Sequence, residues 1–175
     1  MAILGVDDFK SKLTGGGARP NLFKATINFP SFVTGDVELT SFLCKAVAIP
    51  ESVIGPIMVP FRGRQLQLAG DRTFSPVTLT IINDSNFTVR NSFEQWSNGI
   101  NQHNNNTGES NITDYSADIV VEQLNKAGET TKRYDLRDCW PSNVSTIELS
   151  YDTSDAIEEF TVELQVQYWE SGTTS

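Results

Sequence analysis

Phe160-Thr161-Val162-Glu163-Leu164-Gln165-Val166-Gln167-Tyr168-Trp169 decides the fold class. In an extended backbone successive side chains point to opposite faces. Phe160, Val162, Leu164, Val166 and Tyr168 therefore share one side, with Ile157 read as their forerunner. Glu159, Thr161, Glu163, Gln165, Gln167 and Trp169 share the other. The run exceeds the common strand length of about five or six residues. It predicts one long strand with a buried face and a face that stays wet or meets a polar partner.

Working back from this strand, Val144–Tyr151 reads as another, carried by Val144, Ile147 and Leu149, and Trp140-Pro141-Ser142-Asn143 as a corner. Ala117–Leu124 and Thr130–Cys139 read as strands joined around Asn125-Lys126-Ala127-Gly128, a hairpin signal. Asn101–Tyr115 is polar and predicts a surface loop. Before it, Val89, Phe93, Trp96 and Ile100 recur at helical spacing. They predict one amphipathic helix over about residues 86–98, capped by Asp84, Ser85 or Asn86 and stopped by Gly99. Val77–Asn83, Ser41–Ile49 and Phe23–Phe29 read as further strands. Arg64–Ala69 alternates, and Gly70-Asp71 predicts a turn after it. The fold class is mostly β: about eight strands in an antiparallel β-sandwich or barrel with one flanking α-helix.

Pro50–Gly63 stands apart. Its prolines exclude a central strand, yet Val53, Ile54, Ile57, Met58, Val59 and Phe61 are too apolar for a solvated loop. Either it packs back on its own domain or it docks on a neighbour. Residues 1–20 read as a short helix or turn and a flexible arm. Gly15, Gly16 and Gly17 form a hinge leading to Arg19. No Lys-Ser/Thr follows the glycines, so they are not a phosphate-binding loop.

The chain has 175 residues, 13 basic and 22 acidic, a formal net charge of −9. That balance argues against phosphate-gripping nucleic-acid modules and against anionic membranes. No apolar run is long enough to span a bilayer as a helix, and the start, Met1–Asp8, does not read as a secretory signal. Cys44 and Cys139 fit free thiols in a reducing cytoplasm. The acid is concentrated: Asn143–Ser175 holds seven acidic residues and no lysine or arginine. Arg62, Arg64 and Arg72, by contrast, lie at or near the apolar segment. This pattern suggests a basic loop meeting an acidic surface on the next copy.

Catalytic chemistry finds little footing. His103, the single histidine, lies in a polar loop with no cysteine or histidine at ligand spacing. No nucleophile elbow, Walker loop or dinucleotide fingerprint occurs. Glu158 and Glu159 are adjacent in extended chain, so they point apart rather than share a proton. The expectation is a non-enzymatic protein without cofactor or metal.

Four short motifs, in this order, carry a resemblance. Ala18-Arg19-Pro20-Asn21-Leu22-Phe23 leads into the first strand, and Ala69-Gly70-Asp71-Arg72-Thr73-Phe74 precedes the strand before the helix. Trp140-Pro141-Ser142-Asn143-Val144 and Phe160–Leu164 with Tyr168-Trp169-Glu170 follow. Over about Val6–Glu170 the chain resembles the tail tube proteins of T4-like contractile-tailed bacteriophages. The resemblance implies a tail tube β-sandwich domain over 21–170, flanked by the 1–20 arm and a 171–175 tail. It implies a structural virion protein, assembled in the host bacterial cytoplasm, whose copies close into hexameric rings that stack as a tube. It also implies partners: the sheath protein, the baseplate hub, the tape measure protein and the tail terminator. Genomic DNA would pass through the lumen without specific binding, and the chain itself would bind no membrane. The resemblance places Pro50–Gly63 against an adjacent ring and the N-terminal segment between subunits. Arg62, Arg64 and Arg72 are accordingly expected at subunit or ring contacts, not in the lumen.

Geometry is compatible with this. A barrel of about 24 tilted strands leaves a bore of about 38 Å, wide enough for a hydrated duplex. Two other readings stand beside it. One is a tube or baseplate-type subunit of a phage-like contractile injection system. The other, of a different class, is an acidic carbohydrate-binding β-sandwich presenting Trp169 and Tyr151 in a groove.

Overall fold

A computed structural model describes residues 5–174. Residues 1–4 of the expected arm and residue 175 of the expected tail lie outside the described residues. The elements run α1 (Val6–Lys12), a 3-10 turn (Thr14–Gly16), β1 (Phe23–Ile27), α2 (Val37–Leu43), β2 (Cys44–Val47), β3 (Ser52–Phe61), β4 (Arg64–Phe74), β5 (Val77–Ile82), α3 (Thr88–Ile100), α4 (Ile112–Tyr115), β6 (Ala117–Leu124), β7 (Thr130–Val144), β8 (Glu159–Gln165) and β9 (Tyr168–Ser171).

Seven strands form one sheet in the order β1-β6-β7-β8-β5-β2, with β9 also on β7. Strand β7 joins its two halves. Its first part pairs with β6 and β9, and Trp140–Val144 pairs with β8. Asp138 at φ 51° lies close to the changeover. Alternate residues from both halves fall in one apolar cluster. Ala25, Ile27, Ile119, Val121 and Leu136 come from one side; Val77, Leu79, Ile81, Phe160, Val162 and Leu164 come from the other. The sheet is therefore folded over its own core. It stays open: β1 and β2 end it without pairing to each other, so the expected barrel closure is absent within one chain. Strands β3 and β4 form a separate two-stranded sheet.

Helix α3 covers the core with Val89, Ser92, Phe93 and Trp96. Phe93 packs edge-on to Phe29 and Phe160, with ring centroids 5.5 and 6.4 Å apart. The Trp96 indole donates to the Tyr115 carbonyl at 2.6 Å, so the apolar stripe buries no unpaired donor there. The N-cap position itself is Phe87, without a side-chain cap bond; the Asp84 carboxylate, three positions earlier, accepts from the Thr88 amide and hydroxyl. The start, Thr88, falls two residues later than expected, and Phe87 makes the entry in the left-handed region.

The structure corrects several expectations. More than one helix is present. Residues 37–43, the last three of which read as strand, form α2 because Asp36 caps it, accepting from the Leu39 amide at 2.9 Å. Gly99 does not stop α3; the helix runs to Ile100. A Cβ on Gly99 would lie 2.2 Å from the Phe32 ring, so glycine serves close packing there. Gly70-Asp71 is no turn. The pairing shifts from Ile54↔Arg72 to Pro56↔Ala69, which makes it a bulge inside β4. The corner at Trp140–Asn143 is continuous strand, although its change of partners has the same effect on direction. Residues 145–158 form no strand; Leu149 and Ile157 are exposed. The final run is two strands rather than one. β8 buries Phe160, Val162 and Leu164, and the chain breaks at Val166-Gln167. The phase then reverses, leaving Tyr168 exposed and Trp169 half-buried in β9.

Candidate functional site

The apolar segment singled out in the sequence is strand β3 of a hairpin. Phe61 pairs with Arg64, so Arg62-Gly63 is a two-residue turn with φ 45° and 81°. Two positive φ values match the twist of paired strands. Val53, Ile54, Ile57, Met58, Val59 and Phe61 are all exposed, and so are Leu66 and Leu68 from β4. Of the two openings left by the sequence, packing back on the same domain is therefore not what the chain does. A two-stranded ribbon is marginal alone in water, and this one leaves apolar side chains uncovered along its length.

The hairpin is tied mainly at its root. The Trp169 indole lies edge-on to Phe74 at 6.3 Å and to Tyr134 at 5.5 Å, and it donates to the Glu51 carbonyl at 3.4 Å. Ser75 donates to the Glu51 carboxylate, and Arg72 donates to the Ser52 hydroxyl at 3.1 Å. Arg72 is thus held at the root, apart from Arg62 and Arg64 at the tip. Gly70 permits the bulge, since a Cβ would meet the Gly55 carbonyl at 2.7 Å.

The second surface is a four-stranded half-sheet, β7-β8-β5-β2. Trp140–Val144 pairs only with β8, and β2 only with β5, so both borders keep unpaired backbone groups. Its outward side presents Thr78, Thr80, Ser142, Asn143, Thr161, Glu163 and Gln165, and the register sets Ala46, Ile82 and Trp140 on the same side. The cation Lys45 is held by Glu159 at 2.5 Å. The other half-sheet differs: Arg137 reaches Asp118 and Glu170, and Arg133 reaches Asp135.

The arm residues Gly15, Gly16 and Gly17 all adopt positive φ, 71°, 78° and 79°. Beyond them the Arg19 and Leu22 carbonyls both accept from the Gln123 amide, each at 2.7 Å. That clamp sets Pro20 and Asn21 at the entry to β1. Helix α1 leaves Val6, Phe9 and Leu13 exposed on one side. Trp140 and Pro141 sit in β7, Tyr168 and Trp169 in β9. The tip, the hairpin root and the arm are thus three separate places, not one cleft.

Other chemistry does not converge. Among the described residues no group of three or more His, Cys, Asp or Glu could hold a metal. His103 lies in the exposed loop after α3. Cys44 and Cys139 are buried free thiols, and burial pushes them up to about 11 and about 12. Trp169 is used at the hairpin root, while Tyr151 lies in the exposed 145–158 loop, so they form no shared sugar-binding groove. The sequence reading missed Leu66 and Leu68 as partners of the apolar segment. Alternation on both sides of Arg62-Gly63 was the available signal.

Comparison with known proteins fits these surfaces. The family model described as "Phage tail tube protein" matches residues 18–171. The chain is 34% identical to tail tube protein gp19 of Enterobacteria phage T4 over 168 residues, covering 94% of this chain and 99% of that one. It is 33% identical to the tail tube protein of Serratia phage KSP90, over 91% and 93% of the two chains. A chain from the sheath–tube complex of an extracellular contractile injection system (PVC), in its extended state, shares the fold. Its TM-score is 0.66 at 16% identity, over 92% of this chain and 95% of that one. So does a chain from the tube-terminating cap of the anti-feeding prophage, with TM-score 0.66 at 18% identity over 90% and 91%. Matched along nearly its whole length, the chain belongs to the phage tail tube protein family and is a tube-forming structural subunit.

Proposed function

We propose that this subunit closes into hexameric rings through the borders of its four-stranded half-sheet, and that the rings stack through the β3–β4 hairpin. The observation that carries the reading is the hairpin itself: paired apolar strands that the described residues leave exposed. Water contact along such a ribbon is unfavourable by about 25 cal/mol per Å² of apolar surface, so a neighbour's surface stabilises it.

Strand direction supports ring closure. All pairings within the half-sheet are antiparallel, so β7 and β5 run one way and β8 and β2 the other. With an even number of strands, β2 of one copy meets β7 of the next antiparallel as well. Repetition closes the ring without a parallel seam. Four strands per copy also match the barrel of about 24 strands and its bore of about 38 Å.

The outward side of this half-sheet is the lumen wall in this reading. Hydroxyls, amides and Glu163 dominate it, and its cation Lys45 is already paired. DNA meets no array of free cations there, releases few counterions and slides rather than sticks. Arg62, Arg64 and Arg72 belong to ring and subunit contacts, and Gly15–Gly17 lets the 1–20 arm swing to a neighbour. The sheath protein, baseplate hub, tape measure protein and tail terminator are the proposed partners of the finished tube, which holds the 21–170 domain as its repeating body. The injection-device reading keeps the same subunit geometry and differs in cargo.

Electron microscopy of the concentrated full chain tests the proposal. Rings and tubes of uniform width are the expected result. A chain that stays monomeric at every concentration and salt overturns it.

A further inference from the structure

The two ends of the half-sheet are different and complementary. β5 runs from Val77, beside the hairpin root, to Ile82, beside residues 145–158. At that second end the Asn83 amide donates to the Glu158 carbonyl at 2.8 Å, and Arg90 donates to the Ser145 carbonyl at 2.6 Å. These bonds fix both roots of the 145–158 loop to the end of the sheet remote from the hairpin.

At the hairpin end, Ser52–Gly70 contains Arg62 and Arg64 and no acidic residue. The Arg62 guanidinium stacks on Phe61 at 5.4 Å from the ring centroid, and Phe61 is 66% exposed. The tip is thus a cationic aromatic knob held by a tight turn. At the other end, residues 145–158 carry Glu148, Asp152, Asp155 and Glu158 and no lysine or arginine. This loop curves around a concavity of about 900 Å³. Leu149 is 80% exposed, Ile157 72%, and Tyr151 fully so. Ile147, Leu149, Tyr151, Ala156 and Ile157 line this hollow together with Thr146, Ser150, Thr153, Glu148 and Glu158, and Asp152 and Asp155 lie in the same loop. A mixed apolar and acidic hollow thus stands at one end of the half-sheet, and a hairpin with a basic aromatic tip is rooted at the other.

We infer that the 145–158 concavity is the receptor for the hairpin tip of a second copy. Phe61 seats against Leu149, Tyr151 and Ile157, while Arg62 and Arg64 face the loop's carboxylates. The inference rests on the stacking reading above and names the surface that stacking uses. Knob and hollow are different patches at opposite ends, so the contact is heterologous and repeats from copy to copy without closing. Arginine suits the role, because its planar group stacks on an aromatic ring and still pairs with carboxylates. The charge pairing also sets the polarity of stacking, since knob against knob and hollow against hollow each juxtapose like charges.

The test compares Arg62→Glu/Arg64→Glu, Glu148→Arg/Asp152→Arg and the four-fold combination with the wild type, by electron microscopy and sedimentation. All four positions lie on the surface, and thermal melts confirm equal folding. Each pair of reversals is expected to raise the concentration needed for tubes by at least about tenfold, a change of about 1.4 kcal/mol, while rings persist. The combination is expected to recover most of that loss. A second measurement mixes Arg64→Cys protein with Thr153→Cys protein and oxidises the assembled sample; disulfide-linked dimers of the two are expected. Wild-type tubes whose assembly is indifferent to every reversal, or the absence of mixed dimers, overturn the inference and leave the tube reading standing. A control chain carrying both Arg64→Cys and Thr153→Cys that bridges only within itself also overturns it, because the occupant is then its own hairpin. Wild-type protein that never leaves the monomer removes both readings.

Discussion

Asp84 shows how one residue links sequence, local structure and pH. Its burial works against the charged form, but hydrogen bonds from the Thr88 hydroxyl and amide and from the Val89 amide outweigh it. The carboxyl is held below its ordinary value of 3.8. A lowered folded value contributes stability above the unfolded value and loses it as pH falls through the folded one. Asp84→Ala is expected to cost about 1 kcal/mol at neutral pH, and the gap to wild type should narrow as acid protonates the cap. Denaturant melts at neutral and acid pH read both. A polar acceptor before the helix was legible because Asp-Ser-Asn precedes a helical stripe; that left-handed Phe87 takes the cap position was not, since nothing in its side chain favours that region. The two thiols make a second residue-scale case. With values pushed up to about 11 and about 12, Cys44 and Cys139 are protonated and buried at physiological pH. Alkylation of native protein at pH 8 should leave both unmodified, and denaturant should expose both; fast labelling of the native chain would contradict their placement. Val162 and Glu163 test the facing of β8. Val162 is fully buried, so Val162→Asp is expected to lower stability by about 3 kcal/mol or more by burying an unpaired charge. Glu163→Lys lies on the outward side and should leave the thermal melt nearly unchanged.

At the scale of elements, alternation was the reliable signal and partner choice the missing one. The run Phe160–Tyr168 has the period of a single strand, yet its two parts pair with different neighbours: β8 with β5 and β7, β9 with the earlier part of β7. Switching neighbours requires the break at Val166-Gln167, and periodicity carries no information about neighbours. The same gap explains α2. Its residues can serve strand or helix, and Asp36 together with packing against β1 decided the outcome. The hairpin was half legible. Prolines correctly excluded Pro50–Gly63 from the sheet centre, and the apolar content correctly signalled an unusual surface. Its identity as a strand waited on Arg64–Ala69 as its partner. Because the hairpin is a separate sheet tied mainly at its root, replacing Val53–Arg72 by a short turn should leave core stability within about 0.5 kcal/mol, as for other surface changes. The same variant should form rings but no tubes. Loss of folding in circular dichroism would mean that the hairpin supports the core after all.

For the whole molecule the question, on the proposed reading, is which face would meet DNA. The net charge of −9 argues against a chain that grips nucleic acid. It did not reveal where the acid lies, because surface position depends on how β7 folds the sheet over the core. In the folded chain the two outward faces differ in kind. One carries arginines engaged by carboxylates, the other hydroxyls, amides and Glu163, with Lys45 neutralised by Glu159. If the second face lines the bore, cations placed on it change the traffic of DNA rather than the stability of the subunit. Thr161→Arg combined with Glu163→Lys introduces two free cations per copy on adjacent outward positions of β8. Around a ring these form a band facing the duplex, and each phosphate contact makes binding steeply salt-dependent, with a slope of about −0.9 per contact. Tubes of this variant are expected to retain short duplex DNA at low salt and release it as salt rises, while wild-type tubes retain none under either condition. Cosedimentation of preassembled tubes with labelled duplex, followed by nuclease challenge, separates lumenal retention from binding outside, because a lumenal duplex is shielded. Retained DNA that nuclease removes freely would place this face on the outside of the tube and assign the wall to the arginine-bearing half-sheet instead.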